Sequence, residues 1–330
     1  EKKILYQLIF SAFLLFSNAY LVKANSDILS QDSTGKYCIN TEQDYYNFIE
    51  NIQNYNNKTV ILCNDIDISD VPEATSSFGG ILNGKGHTIT YASKEAKENI
   101  AVFPFRINDN GIVENINVQI DESYAYNSET DEFQTVFSQC DGIAKGITIK
   151  GNVTCIYDDE DENVSIGAIE GNGTLMDSSI AITYDLQSEK TIEEIAEDIV
   201  ENDLEFEFCQ LGTTYTGITY QNCIGYGQYS EAIKSLADEL EPKIEDDTWG
   251  YLCVSFTRKS FSSTSASATN CYYDKENMPD IKIRSEYIAN RDNNKEFPNY
   301  ADFGKTTSEM KNQGTYEGFD FNKKWTISPE

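Results

Sequence analysis

Asp65 and Asp67 are the first candidates for chemistry in this chain. In VILCNDIDI they alternate with Ile66 and Ile68, so an extended strand points both carboxylates to one outward face, about 7 Å apart. Carboxylates at such a separation suit inverting glycoside hydrolysis, one as acid and one as base. A polysaccharide hydrolase built on stacked strands would add further clustered aspartates, a Gly-His-Gly and an Arg/Lys pair, and none is found in the sequence. Structural turn residues are the preferred reading, and a carbohydrate-active enzyme (hydrolase or lyase) is the alternative. His87, in NGKGHTIT, is the only histidine. Any Ser-His-Asp set would have to run through it, yet its place beside a glycine turn marks it as structural. A lyase would need cations to neutralise its uronate. The only arginines, Arg106, Arg258, Arg284 and Arg291, are scattered in a chain of net charge −30. An anionic polymer is therefore expected to be a poor substrate.

Two acidic runs invite a metal reading. Asp158, Asp159 and Asp161, with Glu160 and Glu162 between and after them, and Asp246 with Asp247, could offer oxygen ligands to calcium. They lack the alternating aspartates and the glycine of a defined calcium loop, so solvated charge is preferred and no cofactor is expected beyond calcium. The eight cysteines show no C-x-x-C spacing, which with a lone histidine argues against zinc.

The cysteines are an even set, as expected of a chain in an oxidising compartment. The N-terminus agrees with that. Lys2 and Lys3 precede the apolar run ILYQLIFSAFLLF, and Val22-Lys23-Ala24 ends a signal-peptidase site. Residues 1–24 are read as a secretory signal cleaved before Asn25, with cleavage after Ala19 as the alternative. The chain opens at Glu1 without a methionine, so the true start is expected upstream. No later stretch is apolar enough to span a bilayer. Asn57, Asn152, Asn163 and Asn172 each begin an N-x-S/T sequon, to be glycosylated only in a host with the machinery. The 55 acidic residues against 25 basic ones exclude nucleic acid and anionic membrane surfaces as partners. A cationic partner, a cation or a neutral glycan is left, and an extracellular glycan or protein ligand is expected.

What must position these residues is a series of short strands. After a short linker, 25–36, the segment 37–56 reads as a capping helix with Thr41 as N-cap and Tyr45, Phe48, Ile49 and Ile52 on one face. Val60, Leu62, Ile66 and Ile68 then share the parity opposite to the aspartates. Five segments beginning at 102, 136, 166, 208 and 252 open on a hydrophobic pair, pass a small-residue turn and close on alternating apolar residues. Such a unit cannot bury its own face, but stacked copies can. The insertions 121–132, 156–165, 185–207 and 226–250 carry 27 of the 55 acidic residues and are expected to leave one corner as an acidic ridge. TIEEIAEDIVEND and SEAIKSLADELEPKI have helical spacing within them.

Rung alignment suggests disulfides. Cys209 and Cys253 take the second positions of their rungs, and Cys223 and Cys271 each follow an asparagine. Those pairs are expected, with Cys38–Cys63 tying the cap to the first rung and Cys140–Cys155 left over. The competing connectivity joins Cys209 to Cys223 and Cys253 to Cys271.

With TEQDYYNFIENI, VILCNDIDIS, FGGILNGKGHTIT, FPFRINDNGIVENINV, IGAIEGNGTLMDSSIA, QNCIGYG, NCYYD and TTSEMKNQGTYEGFDFNKKWTI, residues 37–327 resemble the GLUG-motif proteins. These are right-handed parallel β-helix proteins of bacterial surfaces and secretions, found also beside the catalytic part of immunoglobulin A1-cleaving metalloproteases. Ala168 and Ile169 stand where that motif favours glycine-leucine. The resemblance implies a secreted or surface scaffold, often adhesive, and brings no catalytic residues. The expected architecture is all-β: a right-handed parallel β-helix over 37–330, with cap helix 37–56, rungs 57–274, a C-terminal cap 275–330 and short helical insertions. The expected function is adhesion or ligand binding without catalysis.

Overall fold

In the computed structural model, residues 29–69, 72, 74, 76–92, 101–125, 133–157, 164–202, 204–211, 217–240, 242–243, 251–255, 267–277, 281–283 and 304–327 are described. The expected signal segment 1–24 lies outside them.

The chain begins with β1 (Tyr37–Ile39) and the helix Glu42–Glu50, followed by a 3-10 turn, Ile52–Tyr55. The Thr41 side chain accepts from the Asp44 amide, satisfying an otherwise orphan donor of the first turn. Tyr45, Phe48, Ile49 and Ile52 are all buried, as their helical spacing predicts. The Tyr45 hydroxyl donates to the Val102 carbonyl at 2.6 Å, pinning the cap to a later rung.

Strands then recur in a fixed order: β2 (Thr59–Leu62), β3 (Ile66–Ile68), β4 (Ile81–Asn83), β5 (Thr88–Ala92), β6 (Phe103–Ile107), β7 (Ile112–Ala125), β8 (Phe133–Cys140) and β9 (Ile143–Ile156). They continue as β10 (Val164–Ile169), β11 (Thr174–Met176), β12 (Ser179–Gln187), β13 (Glu205–Cys209), β14 (Thr219–Gln221), β15 (Ile224–Gly225), β16 (Gln228–Tyr229), β17 (Tyr251–Ser255), β18 (Ser267–Thr269) and β19 (Tyr272–Asp274). β20 (Ile281–Ile283) and β21 (Gly304–Lys305) complete the series. Equivalent strands of successive rungs pair in parallel, forming one 15-stranded and one 6-stranded sheet. β20 is the exception, antiparallel to β17. The protein is thus mostly β, with parallel strands stacked as in a solenoid.

Register explains why degenerate rungs fit. Val60, Leu82, Val113, Ala144, Leu175 and Tyr220 stack as one inward ladder. Ile66, Ile89, Val118, Ile149 and Ile180 form a second. All are buried, so each apolar residue meets its own equivalent one strand spacing away, about 4.8 Å. Phe103 and Phe137 face them from the smaller sheet, rings stacked at 4.8 Å. Between the two ladders the chain must turn sharply. Lys85, Asn115, Asp177, Asn222 and Asn270 do so at positive φ of 49° to 56°, and Gly146 at 62°. Asparagine and aspartate tolerate that left-handed conformation best among residues with a Cβ. Their side chains also join the rungs: Asn222 Nδ2 donates to Asp177 Oδ1 at 3.0 Å, and Asn270 Nδ2 to Asn222 Oδ1 at 3.3 Å.

The insertions leave one corner, as expected. The ends of β7, β9 and β12 are in register at Ala125, Ile156 and Gln187, and Tyr229 of β16 sits against Tyr184 of β12. The helices Ile192–Glu201 and Glu231–Leu240 follow. They bury Ile195, Ile199, Ile233, Leu236 and Leu240. Each lysine of these insertions is committed to an acid: Lys190 to Asp198 at 2.8 Å, Lys234 to Glu231 at 2.8 Å, and Lys243 to Glu239 at 3.2 Å and Glu197 at 3.6 Å. The last contact links the two insertions.

Of the expected disulfides, Cys38–Cys63 is formed, with Cα atoms 5.9 Å apart. It closes a loop spanning 25 positions, for which chain entropy gives about 3 kcal/mol. Replacing both residues by serine should lower unfolding free energy by that amount, while reductant leaves the double variant unchanged. Register separates one of the other expected pairs, Cys209 and Cys253. Glu207, two residues from Cys209, faces Cys253. That offset adds about 6.6 Å along the strand to the strand spacing, beyond a disulfide's Cα range. Cys140 ends β8 and Cys155 lies near the far end of β9, and no bridge joins them. Cys223 and Cys271 do occupy equivalent positions, one residue before the Ile224–Tyr272 pair. They are buried thiols in hydrogen-bond contact, without a bridge, and burial pushes the Cys223 thiol well up.

Candidate functional site

Asp65 and Asp67 do different things. Asp67 lies in β3 at an outward, exposed position opposite Thr90. Asp65 precedes the strand, and its Oδ1 accepts from the Thr88 amide at 2.8 Å and meets His87 Nδ1 at 3.1 Å. The Thr88 amide first, then His87, hold its carboxyl below the ordinary aspartate range. Asp65 and His87 therefore join two successive rungs through one carboxylate oxygen. Asp158, Asp159, Asp161, Asp246, Asp247 and Asn163 lie outside the described residues. No group of three or more His, Cys, Asp or Glu suited to a metal occurs among the described residues. Asn57, Asn152 and Asn172 are exposed. No helix among the described residues is long and apolar enough to cross a membrane.

The larger feature is a groove of about 1080 Å³ on the side of the coil. One wall is the outward face of the larger sheet, carrying Thr148, Lys150, Ser179, Tyr226 and Gln228. The other is the C-terminal segment. Gly304–Lys305 pairs with β19, and a short helix, Thr307–Met310, starts in a capping box between Thr306 and Glu309. The chain then runs back along the corner where the asparagines stack. Tyr316 packs edge-on against Tyr272 at 5.4 Å. A Cβ at Gly318 would collide with the Asn270 amide. Lys324 reaches Asp177 at 2.6 Å. Phe319, Phe321 and Trp325 form a small second apolar cluster with Tyr316, Ile224 and Tyr272. This segment is a strap over the rungs, held by one aromatic cluster and a few polar contacts.

Its chemistry differs from that of the whole chain. Asp274 is buried, accepting from the amides of Glu276 and Asn277, from Asn277 Nδ2 at 2.9 Å and from Thr307 Oγ1 at 2.8 Å. Glu114 holds Lys145 at 2.9 Å and also accepts from Asn83. Burial, then Asp274 and Tyr272, push the Tyr316 hydroxyl up to about 12, so it stays protonated and donates to the Met310 carbonyl. Tyr226 is exposed at 39%, the one large hydrophobic side chain so exposed among the described residues. The Trp325 indole N–H is enclosed without an acceptor among the described residues. The tail's aromatics read from sequence as a terminal plug, and no local pattern marks Tyr226. The signal present in the chain was the tail's aromatic spacing, but not the direction in which it returns.

No family model, curated protein or solved structure matches this chain. The class therefore rests on architecture and site: a mostly β protein of stacked parallel strands, with a side groove between a sheet face and a C-terminal strap.

Proposed function

We propose that this chain is a secreted or surface-displayed parallel β-helix of the GLUG-motif kind that binds an extracellular glycan through its side groove. The groove carries this reading, because it combines an exposed tyrosine platform with a row of hydroxyl, amide and amine side chains on a flat sheet. Tyrosine offers a ring face for sugar C–H groups and a hydroxyl for hydrogen bonding, and largely pre-formed clefts bind small ligands with little reorganisation. A right-handed coil follows the general handedness of parallel strand connections. The Cys38–Cys63 bridge suits an extracellular location.

A calorimetric panel of neutral and acidic oligosaccharides tests the reading. Burying one face of the Tyr226 ring is worth on the order of 1.5 kcal/mol, so Tyr226→Ala should weaken binding of a hit about tenfold. Binding by no member of the panel, or binding that Tyr226→Ala leaves untouched, would remove the groove from consideration.

A further inference from the structure

We infer that the groove selects an acidic saccharide, one bearing carboxylates or sulfates, although the protein as a whole is strongly acidic. This rests on the glycan-binding reading above and adds the ligand's charge. Five lysines line the groove: Lys145, Lys150, Lys311, Lys323 and Lys324. Two are spent, Lys145 on Glu114 and Lys324 on Asp177. The lining acids are spent as well, since Glu114 and Asp177 hold those lysines and Asp274 is buried and saturated. Lys150, Lys311 and Lys323 are exposed and enter no ion pair among the described residues.

The positions of these cations matter more than their number. Lys150 stands on the sheet wall, and Lys311 and Lys323 on the strap. A ligand in the groove therefore meets cations from both sides. Lys150 pairs in register with Gln119 of β7, two residues before Asp121, where the first acidic insertion begins. Along the strand that is about 7 Å, within the Debye length of about 10 Å at 0.1 M salt. The preference for an acidic ligand therefore rests on Lys150, Lys311 and Lys323 facing the groove from both walls, and not on distance from the ridge. Net charge is a sum over the molecule, whereas a bound ligand reads the field within about a Debye length.

Shape favours a saccharide over a lone anion. The groove runs from Glu114 on β7 to Asp274 on β19. That crosses four strand spacings, about 20 Å, which suits an extended oligomer. Tyr226 offers it a ring face.

The test titrates the mature chain with an oligogalacturonate, a sulfated chondroitin oligosaccharide, a neutral dextran of matched length and polyglutamate, at low and physiological salt. At least one acidic oligosaccharide should bind about tenfold or more tighter than dextran and weaken as salt rises. The triple variant Lys150→Gln, Lys311→Gln, Lys323→Gln should lose about tenfold or more of that affinity. Its dextran binding and melting temperature should not move, because all three side chains are exposed. Dextran binding as tightly as the acidic oligomers, with Tyr226→Ala still weakening it, would overturn the charge preference and leave the glycan groove standing. Acidic binding untouched by the triple variant, or polyglutamate binding equally well, would overturn the inference. Binding of nothing would overturn both readings.

Discussion

Gly151→Ala is expected to destabilise the fold by about 2–5 kcal/mol, and register shows why. Gly151 lies within β9 at φ 146°, directly opposite Ile120 of β7. A Cβ there would overlap the Ile120 carbonyl oxygen. The left-handed half of backbone space costs a residue with a Cβ about 1–2 kcal/mol, and forcing apart two packed strands adds about 1–3 kcal/mol. Neither strand can yield cheaply, since β7 and β9 share the longest ladder among the described strands and Ile120 is buried. Gly86→Ala is the matched control. Gly86 has φ 83°, but a methyl there would find nothing within 4 Å, so only the conformational cost of about 1–2 kcal/mol applies. Urea unfolding of both variants reads the difference directly. Equal destabilisation would mean that the close approach of β7 to β9 is not rigid.

The second large effect is at the cap. Phe48 is fully buried, with ring centroids 5.5 Å from Tyr55, 5.4 Å from Phe78 and 5.8 Å from Phe105. It joins the cap helix to residues of later rungs. Phe48→Ala should cost about 3–5 kcal/mol through lost burial and the cavity left behind. Because stacked rungs contact mainly their neighbours, the damage should be local before it is global. Hydrogen exchange should accelerate across 37–68 and stay slow in the β9–β12 ladder. Uniform acceleration over the whole chain would show that the coil melts as one unit, with the cap no more than a part of it. Losing the cap also bares strand edges, so the variant should aggregate more readily than the parent.

Elements whose cause is local could be read from the chain without its fold. Alternation put Val60, Leu62, Ile66 and Ile68 inside, and 3.6-residue spacing put Tyr45, Phe48 and Ile49 on the buried face of a helix capped by Thr41. The two insertion helices were legible for the same reason. The common corner of the insertions could also be read, because aligned rungs must bend at equivalent places. The Cys38–Cys63 bridge followed from the cap lying against the first rung. Other properties depended on register, which degenerate rungs do not fix to the residue. A two-residue offset separated Cys209 from Cys253, and spacing alone could not reveal it. Asp65 looked like half of a carboxylate pair, yet the stacking of Thr88 and His87 above it made it a link between rungs. The groove was least legible of all. Its lysines come from β9 and from the tail, positions 145–150 and 311–324, which composition counts as a minor part of an acidic total. Only the return of the strap along the asparagine corner brings them face to face, because charge acts through space over about a Debye length and not along the chain.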